Sequence, residues 1–174
     1  GFFMKHTCVE HTWALIGYGG MGGWHYQNIK DRLPEIRTKG AYDIRPEARK
    51  AAEEKGLYAY STLEELLADK EVDLVTIAVP NNFHKDLSIQ CLRAGKNVIC
   101  EKPVTMNAAE LEEIMAVARE TGKLFSIHQN RRWDKDYRIV KEILDSGVLG
   151  KPYFIESRVQ GSRGSMFRWR NHKV

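Results

Sequence analysis

The sequence predicts an α/β protein: a doubly wound parallel sheet followed by the start of a second, α+β domain. Three observations carry that reading. An apolar run, Trp13-Ala14-Leu15-Ile16, feeds directly into Gly17-Tyr18-Gly19-Gly20-Met21-Gly22 and then into a helix-compatible segment reaching about Ile29. Strand and helix patterns then alternate, the signature of right-handed βαβ crossovers. Polar turn motifs stand where two of the predicted strands end, the edge at which open parallel sheets bind ligands.

Each later element has its own warrant. Arg37 to Asp43 forms the second strand, with a first half unusually polar for a strand between neighbours. Pro46 suits the start of the next helix, which runs through Lys55 and stops at Gly56. Leu57 to Tyr60 is a short third strand, and Ser61-Thr62-Leu63-Glu64 forms a capping box for a helix to about Ala68. Val72 to Val79 is the most strand-like run and ends at Pro80-Asn81-Asn82; a helix from about Phe83 to Ala94 stops at Gly95. Asn97 to Cys100 is the fifth strand, followed by Glu101-Lys102-Pro103. Asn107 caps a helix to Thr121 that ends at Gly122, and Leu124 to His128 is the sixth strand. A further helix from about Trp133 to Ser146 stops at Gly147. Tyr153 to Val159 then alternates like the first strand of another sheet. The domain boundary is expected near 122–132, dividing a first domain, 1–125, from a linker helix and first strand, 126–174.

Composition narrows the function classes. A chain of 174 residues holds one good-sized domain and part of another, and its 43% hydrophobic content argues against wholesale disorder. The net charge of +4 is mild, and no long basic run interleaves with aromatics, so no nucleic-acid partner is expected. Arg158, Arg163, Arg168, Arg170 and Lys173 read as a solvated tail. Cys8, Cys91 and Cys100 are odd in number and lack metal-ligand spacing. They point to a reducing cytoplasm without a disulfide framework or a metal, with Cys91 and Cys100 as buried small hydrophobes. No apolar stretch approaches the ~20 residues of a membrane span. Gly1-Phe2-Phe3 before Met4 reads as an expression remnant rather than a signal peptide.

The glycine turn sets the chemistry. Gly17 permits the tight turn, Gly19 lets the backbone approach a pyrophosphate, and Gly22 allows close helix–strand packing; Gly20 and Met21 open the helix, whose free N–H donors favour phosphate. S-adenosylmethionine enzymes carry similar glycine clusters, so the rest of the chain must discriminate. Asp43 follows Gly22 by 21 residues, close to the ~20 expected of the acidic residue that bonds the adenosine ribose. Its neighbours Ile44 and Arg45 share that subsite. A 2′-phosphate facing the carboxylate costs about 4 kcal/mol per charge pair at ~4 Å, whereas one exposed arginine returns ~0–1 kcal/mol. NAD is therefore preferred to NADP.

Val79-Pro80-Asn81-Asn82-Phe83-His84 and Glu101-Lys102-Pro103 lie at the carboxyl ends of the fourth and fifth strands. Asn81 and Asn82 are equally turn and cap residues, and His84 equally a helix-start histidine. Lys102 aimed into the crevice can donate to a substrate hydroxyl and stabilise alkoxide charge; the bland alternative is a surface ion pair with Glu101.

Together these pieces resemble the Gfo/Idh/MocA family, named for glucose–fructose oxidoreductase and inositol dehydrogenase. The resemblance rests on Gly17 to Gly22, Asp43-Ile44-Arg45-Pro46-Glu47, Val79 to His84, Glu101-Lys102-Pro103, Asn130-Arg131-Arg132-Trp133 and Gly147-x-x-Gly150-x-Pro152, in that order. It implies a Rossmann domain and hydride transfer between NAD and a sugar, polyol or related metabolite. By resemblance, Lys102 contacts the nicotinamide ribose and the substrate hydroxyl, and Val79, Pro80, Asn81, His84 and Glu101 line the cofactor crevice. Asn130 and Trp133 stand at the mouth of the substrate pocket, while Arg131 and Arg132 equally brace the domain junction.

Family members are about twice as long, with a second domain whose Gly-rich segment supplies an Asp and the acid/base His. The chain ends before that segment, and His172 does not occupy the motif. The expectation is thus a truncated cofactor half, inactive alone, with a non-catalytic NAD(H) sensor as the alternative. Tyr153 to Val159, as an unpaired edge strand, is expected to disorder, fold back or pair with another copy, and a homo-oligomer is the expected assembly.

Overall fold

The computed structural model describes residues 11–158; Cys8, Val159 and the basic residues from Arg163 to Lys173 lie outside the described residues. The chain divides between Gln129 and Asn130 into two compact units. The first comprises β1 (His11–Ile16), α1 (Gly20–Arg32), β2 (Ile36–Tyr42), α2 (Pro46–Glu54), β3 (Tyr58–Ala59), α3 (Leu63–Ala68), β4 (Leu74–Ile77), α4 (His84–Arg93), β5 (Asn97–Cys100), α5 (Ala108–Thr121) and β6 (Phe125–Ile127). Its strands form one six-stranded sheet in the order β3-β2-β1-β4-β5-β6, and every pairing is parallel. The order reverses between β1 and β4, which opens a crevice at their carboxyl ends.

Period-two alternation in β1 builds a core on each face of the sheet. Trp13 and Leu15 pack with Tyr26 of α1 and Ala52 of α2. Ala14 and Ile16 face the other way, with Leu66 of α3, Leu92 of α4 and Ile114 of α5. All four β1 side chains are buried, at 2% exposure or less, and burial of a Leu or Ile contributes roughly 1.5–3 kcal/mol. Trp13 keeps its indole N–H satisfied by donating to Thr76 Oγ1 at 2.8 Å. Cys91 and Cys100 lie fully inside this core, as expected, and burial pushes both thiols up to about 12.

The polar start of β2 has a topological cause. β3 supplies only Tyr58 and Ala59, opposite Gly40 and Ala41, so the first half of β2 runs as an edge. The register against β1 also slips between Trp13 and Ala14, leaving Lys39 as the extra residue of a bulge. Lys39 turns to Asp69 at 2.6 Å and Glu71 at 3.0 Å, and Arg37 reaches Glu71 at 2.6 Å. The β4 ladder is shorter than the predicted Val72–Val79, because its partner β1 ends at Ile16 opposite Ile77.

The cap of α3 sits one residue later than the sequence pattern suggests. Thr62 is the N-cap and accepts from Glu65 N at 3.1 Å, while the Glu65 carboxylate accepts from Ser61 N at 2.7 Å. Asn107 caps α5 as expected, accepting from Glu110 N at 3.0 Å, and Gly122 closes that helix.

The second unit opens with a single 3-10 turn, Asn130–Trp133, before α6 (Lys135–Asp145). The helix thus starts two residues beyond the predicted Trp133, since the Arg131 guanidinium holds Asp134 at 2.8 Å just ahead of it. The predicted strand at Tyr153 does not form: residues 153–158 are irregular and exposed. A strand is a shared structure, and among the described residues nothing offers these backbone groups a ladder.

Candidate functional site

The carboxyl edge of the sheet gathers the turns that follow β1, β2, β4, β5 and β6. After β1, Gly17 adopts φ +95 and donates its N–H to Tyr42 O at 2.8 Å. A Cβ there would stand 2.4 Å from Ala78 O, and one at Gly22 would stand 2.0 Å from Gly17 O. The first turn of α1 is thereby drawn tightly under β1. Gly19 occupies the N-cap position without a side-chain cap, and the first turn carries no acidic residue. The leading N–H groups of α1, from Gly20 and Met21 onward, are left for an anion.

After β2, Asp43 is 6% exposed. Its carboxylate accepts from Tyr18 N at 2.9 Å and Arg45 N at 2.9 Å, and from Arg45 Nε and Nη2 at 3.1 Å each. These four donors fill its lone pairs. Arg49 Nη1 donates to Asp43 O at 2.7 Å and braces the turn. The Asp43 hydrogen bonds, against burial, strengthen the charge on Arg45. Ile44 projects outward at 81% exposure.

After β4, Val79 and Asn81 are half-buried and Pro80 is exposed, with Asn81–Phe83 in a 3-10 turn. His84 does not line the crevice. It is fully buried, and its Nδ1 and Nε2 each lie 2.9 Å from a carbonyl oxygen, of Pro103 and Val79 respectively. A neutral imidazole donates to one of the two. The ring therefore sits between the turn after β4 and the turn after β5, against a carbonyl of each.

After β5, Glu101 is 6% exposed. Its Oε1 accepts from His25 Nε2 at 2.7 Å and from His128 Nδ1 at 2.8 Å, while Oε2 accepts from Lys102 N at 3.2 Å. Burial works against this anion, but the two histidine hydrogen bonds outweigh it and hold the carboxyl below the ordinary glutamate value. A carboxylate only accepts, so both imidazoles donate through the nitrogen that faces it. The two nitrogens and a Glu101 oxygen lie within 4.8 Å of one another, a spacing also open to a metal ion; here the two nitrogens converge on Oε1 as hydrogen bonds. The His25 and His128 rings pack edge to face at 4.6 Å. Lys102 itself is exposed, and the surface ion pair with Glu101 is not made, because Glu101 is turned inward to the histidines.

Sequence reasoning missed His25 and His128. A signal was present: His25 lies three residues past Gly22, on the same face of α1, and His128 stands directly after β6 on the same sheet edge as Glu101. Asn130 and Trp133 fall in the second unit, where Asn130 is half-buried and Trp133 is 77% exposed.

The chain is similar to known proteins. The model of an oxidoreductase family with an NAD-binding Rossmann fold matches residues 11–129. The inositol 2-dehydrogenase of Salmonella typhimurium is 31% identical over 151 residues, 83% of this chain and 44% of that protein. A scyllo-inositol 2-dehydrogenase (NADP(+)) of Bacillus subtilis is 33% identical over 136 residues, 78% of this chain and 38% of that protein. The crystal structure of an NAD-binding protein from Listeria innocua is 45% identical with a TM-score of 0.87, covering 92% of this chain and 48% of that one. The chain thus spans less than half the length of each. With a six-stranded sheet of this order, a glycine turn at its switch point and a family match over residues 11–129, the chain belongs to the Gfo/Idh/MocA family of oxidoreductases.

Proposed function

We propose that this chain is the cofactor-holding part of an NAD-dependent dehydrogenase acting on a carbinol of a sugar, polyol or related metabolite. The observation that carries the reading is the shared edge: a helix start without a side-chain cap beneath the glycine turn, a buried carboxylate after β2 and an exposed lysine after β5. Close backbone approach at Gly17 and Gly22 shapes a cradle that side chains would fill, which fits a dinucleotide pyrophosphate. The names of the two inositol dehydrogenase relatives support a polyol substrate.

When bound, the nicotinamide supplies the site that accepts or donates hydride. The chain's own residues orient and polarise. The N–H groups of Gly20 and Met21, at the helix start, hold phosphate, with Gly19 allowing its approach. Val79, Pro80 and Asn81 line the crevice, and Ile44 offers an apolar surface to the adenine side. Lys102 donates to the nicotinamide ribose and to the substrate hydroxyl, where its ammonium steadies alkoxide charge.

Preference for NAD follows from Asp43. Its backbone partners, Tyr18 N and Arg45 N, keep the carboxylate in place when the exposed Arg45 guanidinium swings out, and the two vacated lone pairs suit two ribose hydroxyls. A 2′-phosphate would meet a fixed anion. The free thiols Cys91 and Cys100 support a reducing, cytoplasmic setting. Among the described residues no helix is long and apolar enough to cross a membrane.

Fluorescence titration of the chain with NADH tests this reading. Saturable binding, displaced by NAD and untouched by S-adenosylmethionine, is expected; no binding, or displacement by S-adenosylmethionine, overturns it.

A further inference from the structure

Lys102 is the one unfastened residue between two fastened neighbours. On one side, the Glu101 carboxylate is held by His25 from α1 and by His128 from the end of β6. On the other, the Pro103 carbonyl faces the His84 ring. The Glu101 backbone is pinned as well, its N–H donating to Ile77 O at 3.0 Å, and His128 N donates to Cys100 O at 2.8 Å. Glu101 Oε2 then accepts the Lys102 backbone N–H. The Glu101 side of the turn is thus held by α1, by β4 and by the end of β6, and α1 is also the helix that follows the glycine turn.

We propose that His25 and His128 are positioning residues for Lys102. They clamp the Glu101 carboxylate, and that carboxylate sets the direction in which the lysine leaves the sheet edge. Because His25 lies in the helix whose start faces the phosphates, the same clamp fixes the lysine relative to the pyrophosphate cradle. The inference rests on the reading of Lys102 as a contact of the nicotinamide ribose.

The requirement is for a donor at a defined place, not for an imidazole as such. Gln presents its side-chain N–H₂ near the position of a histidine Nε2, and Asn near that of Nδ1. The clamp therefore predicts that His25→Gln and His128→Asn bind NADH within about twofold of the natural chain. His25→Leu and His128→Leu lose the donor to a buried anion and weaken NADH binding by about tenfold.

A double-mutant cycle separates positioning from general support of the fold. NADH dissociation constants are measured by fluorescence for the natural chain, Lys102→Met, His128→Leu, His25→Leu and the two combinations with Lys102→Met. The expected result is that Lys102→Met weakens binding by at least the roughly tenfold of the histidine losses and that those losses then add little further. Equal histidine penalties in both backgrounds overturn the proposal, as does undiminished affinity in the leucine variants. Failure of the Asn and Gln variants to preserve affinity overturns it too. An unchanged affinity for Lys102→Met overturns the reading of Lys102 itself, and the positioning role falls with it. If His25→Leu fails to fold, His128→Leu, at a half-buried strand end, carries the same test.

Discussion

A Cβ placed on Gly22 would lie 2.0 Å from the carbonyl oxygen of Gly17 and 2.9 Å from Leu15 Cδ2. The helix that offers its N–H groups to a ligand is therefore seated by contact with backbone, which cannot move aside as a flexible side chain can. Gly23, one residue on in the same helix, has nothing within 4 Å of an added Cβ. Gly22→Ala is expected to abolish NADH binding and to cost at least the 1–3 kcal/mol, roughly, of an overpacked core. Gly23→Ala is expected to stabilise the chain by about 0.5–1 kcal/mol, through helix propensity alone. Thermal melts and NADH titrations of the two variants check the contrast; equal behaviour would refute the close-packing account.

Asp43 and Arg45 make a second, separable prediction. The guanidinium occupies the lone pairs that a ribose would use, while its exposed position makes the pair cheap to open, at ~0–1 kcal/mol. Arg45→Ala is expected to leave NADH affinity unchanged or slightly raised and to lower any NADPH affinity further. Asp43→Asn removes the anion that repels a 2′-phosphate and one acceptor for the ribose. The ratio of NADPH to NADH affinity should rise by at least tenfold. Paired titrations with the two reduced cofactors measure that ratio directly, and a fall in it would assign the discrimination elsewhere.

The fold was legible because its signals are local and repeated. Trp13 to Ile16, Asn97 to Cys100 and the Asn107 cap each declare themselves within a few residues, and their alternation fixes the topology. The polar half of β2 was harder to read, because its cause lies in the brevity of β3 and in a bulge at Lys39, neither of which is a property of β2 itself. The glycine turn and Asp43 stand out by their spacing, and Lys102 by its place after a strand and by the family resemblance. The direction of the His84 ring and the partners of Glu101 could not. Both depend on which strand ends meet across the sheet, as His25, Glu101 and His128 do from three separate elements.

The one-residue shift of the α3 cap is directly testable. Thr62 supplies the oxygen that receives Glu65 N, whereas Ser61 contributes its backbone N–H to the Glu65 carboxylate. Thr62→Ala is expected to cost about 1 kcal/mol, a typical loss for an N-cap. Ser61→Ala keeps the backbone donor and is expected to cost under about 0.5 kcal/mol. Urea midpoints for the two variants distinguish the assignments, and the reverse order would restore Ser61 as the cap.

Asp69 should govern acid sensitivity at the far end of the sheet. Burial opposes its anion, but hydrogen bonds from Lys39, Tyr60 and Glu71 N prevail and lower the carboxyl from 3.8 to about 2. A carboxyl depressed in the folded chain stabilises it fully above the unfolded value, and that contribution is lost as pH falls toward the folded one. A shift of this size corresponds to about 2 kcal/mol, reduced by whatever screening reaches a side chain that is 16% exposed. Asp69→Asn keeps the shape and an acceptor oxygen but discards the charge facing Lys39 at 2.6 Å. The stability gap between the natural chain and Asp69→Asn should therefore be full at pH 6 and begin to close below about pH 4. It should nearly vanish by about pH 2, while carboxylates common to both chains cancel. Urea unfolding across that range measures the gap. A gap that persists unchanged into acid would mean that the lost stability comes from packing rather than from the Lys39–Asp69 pair.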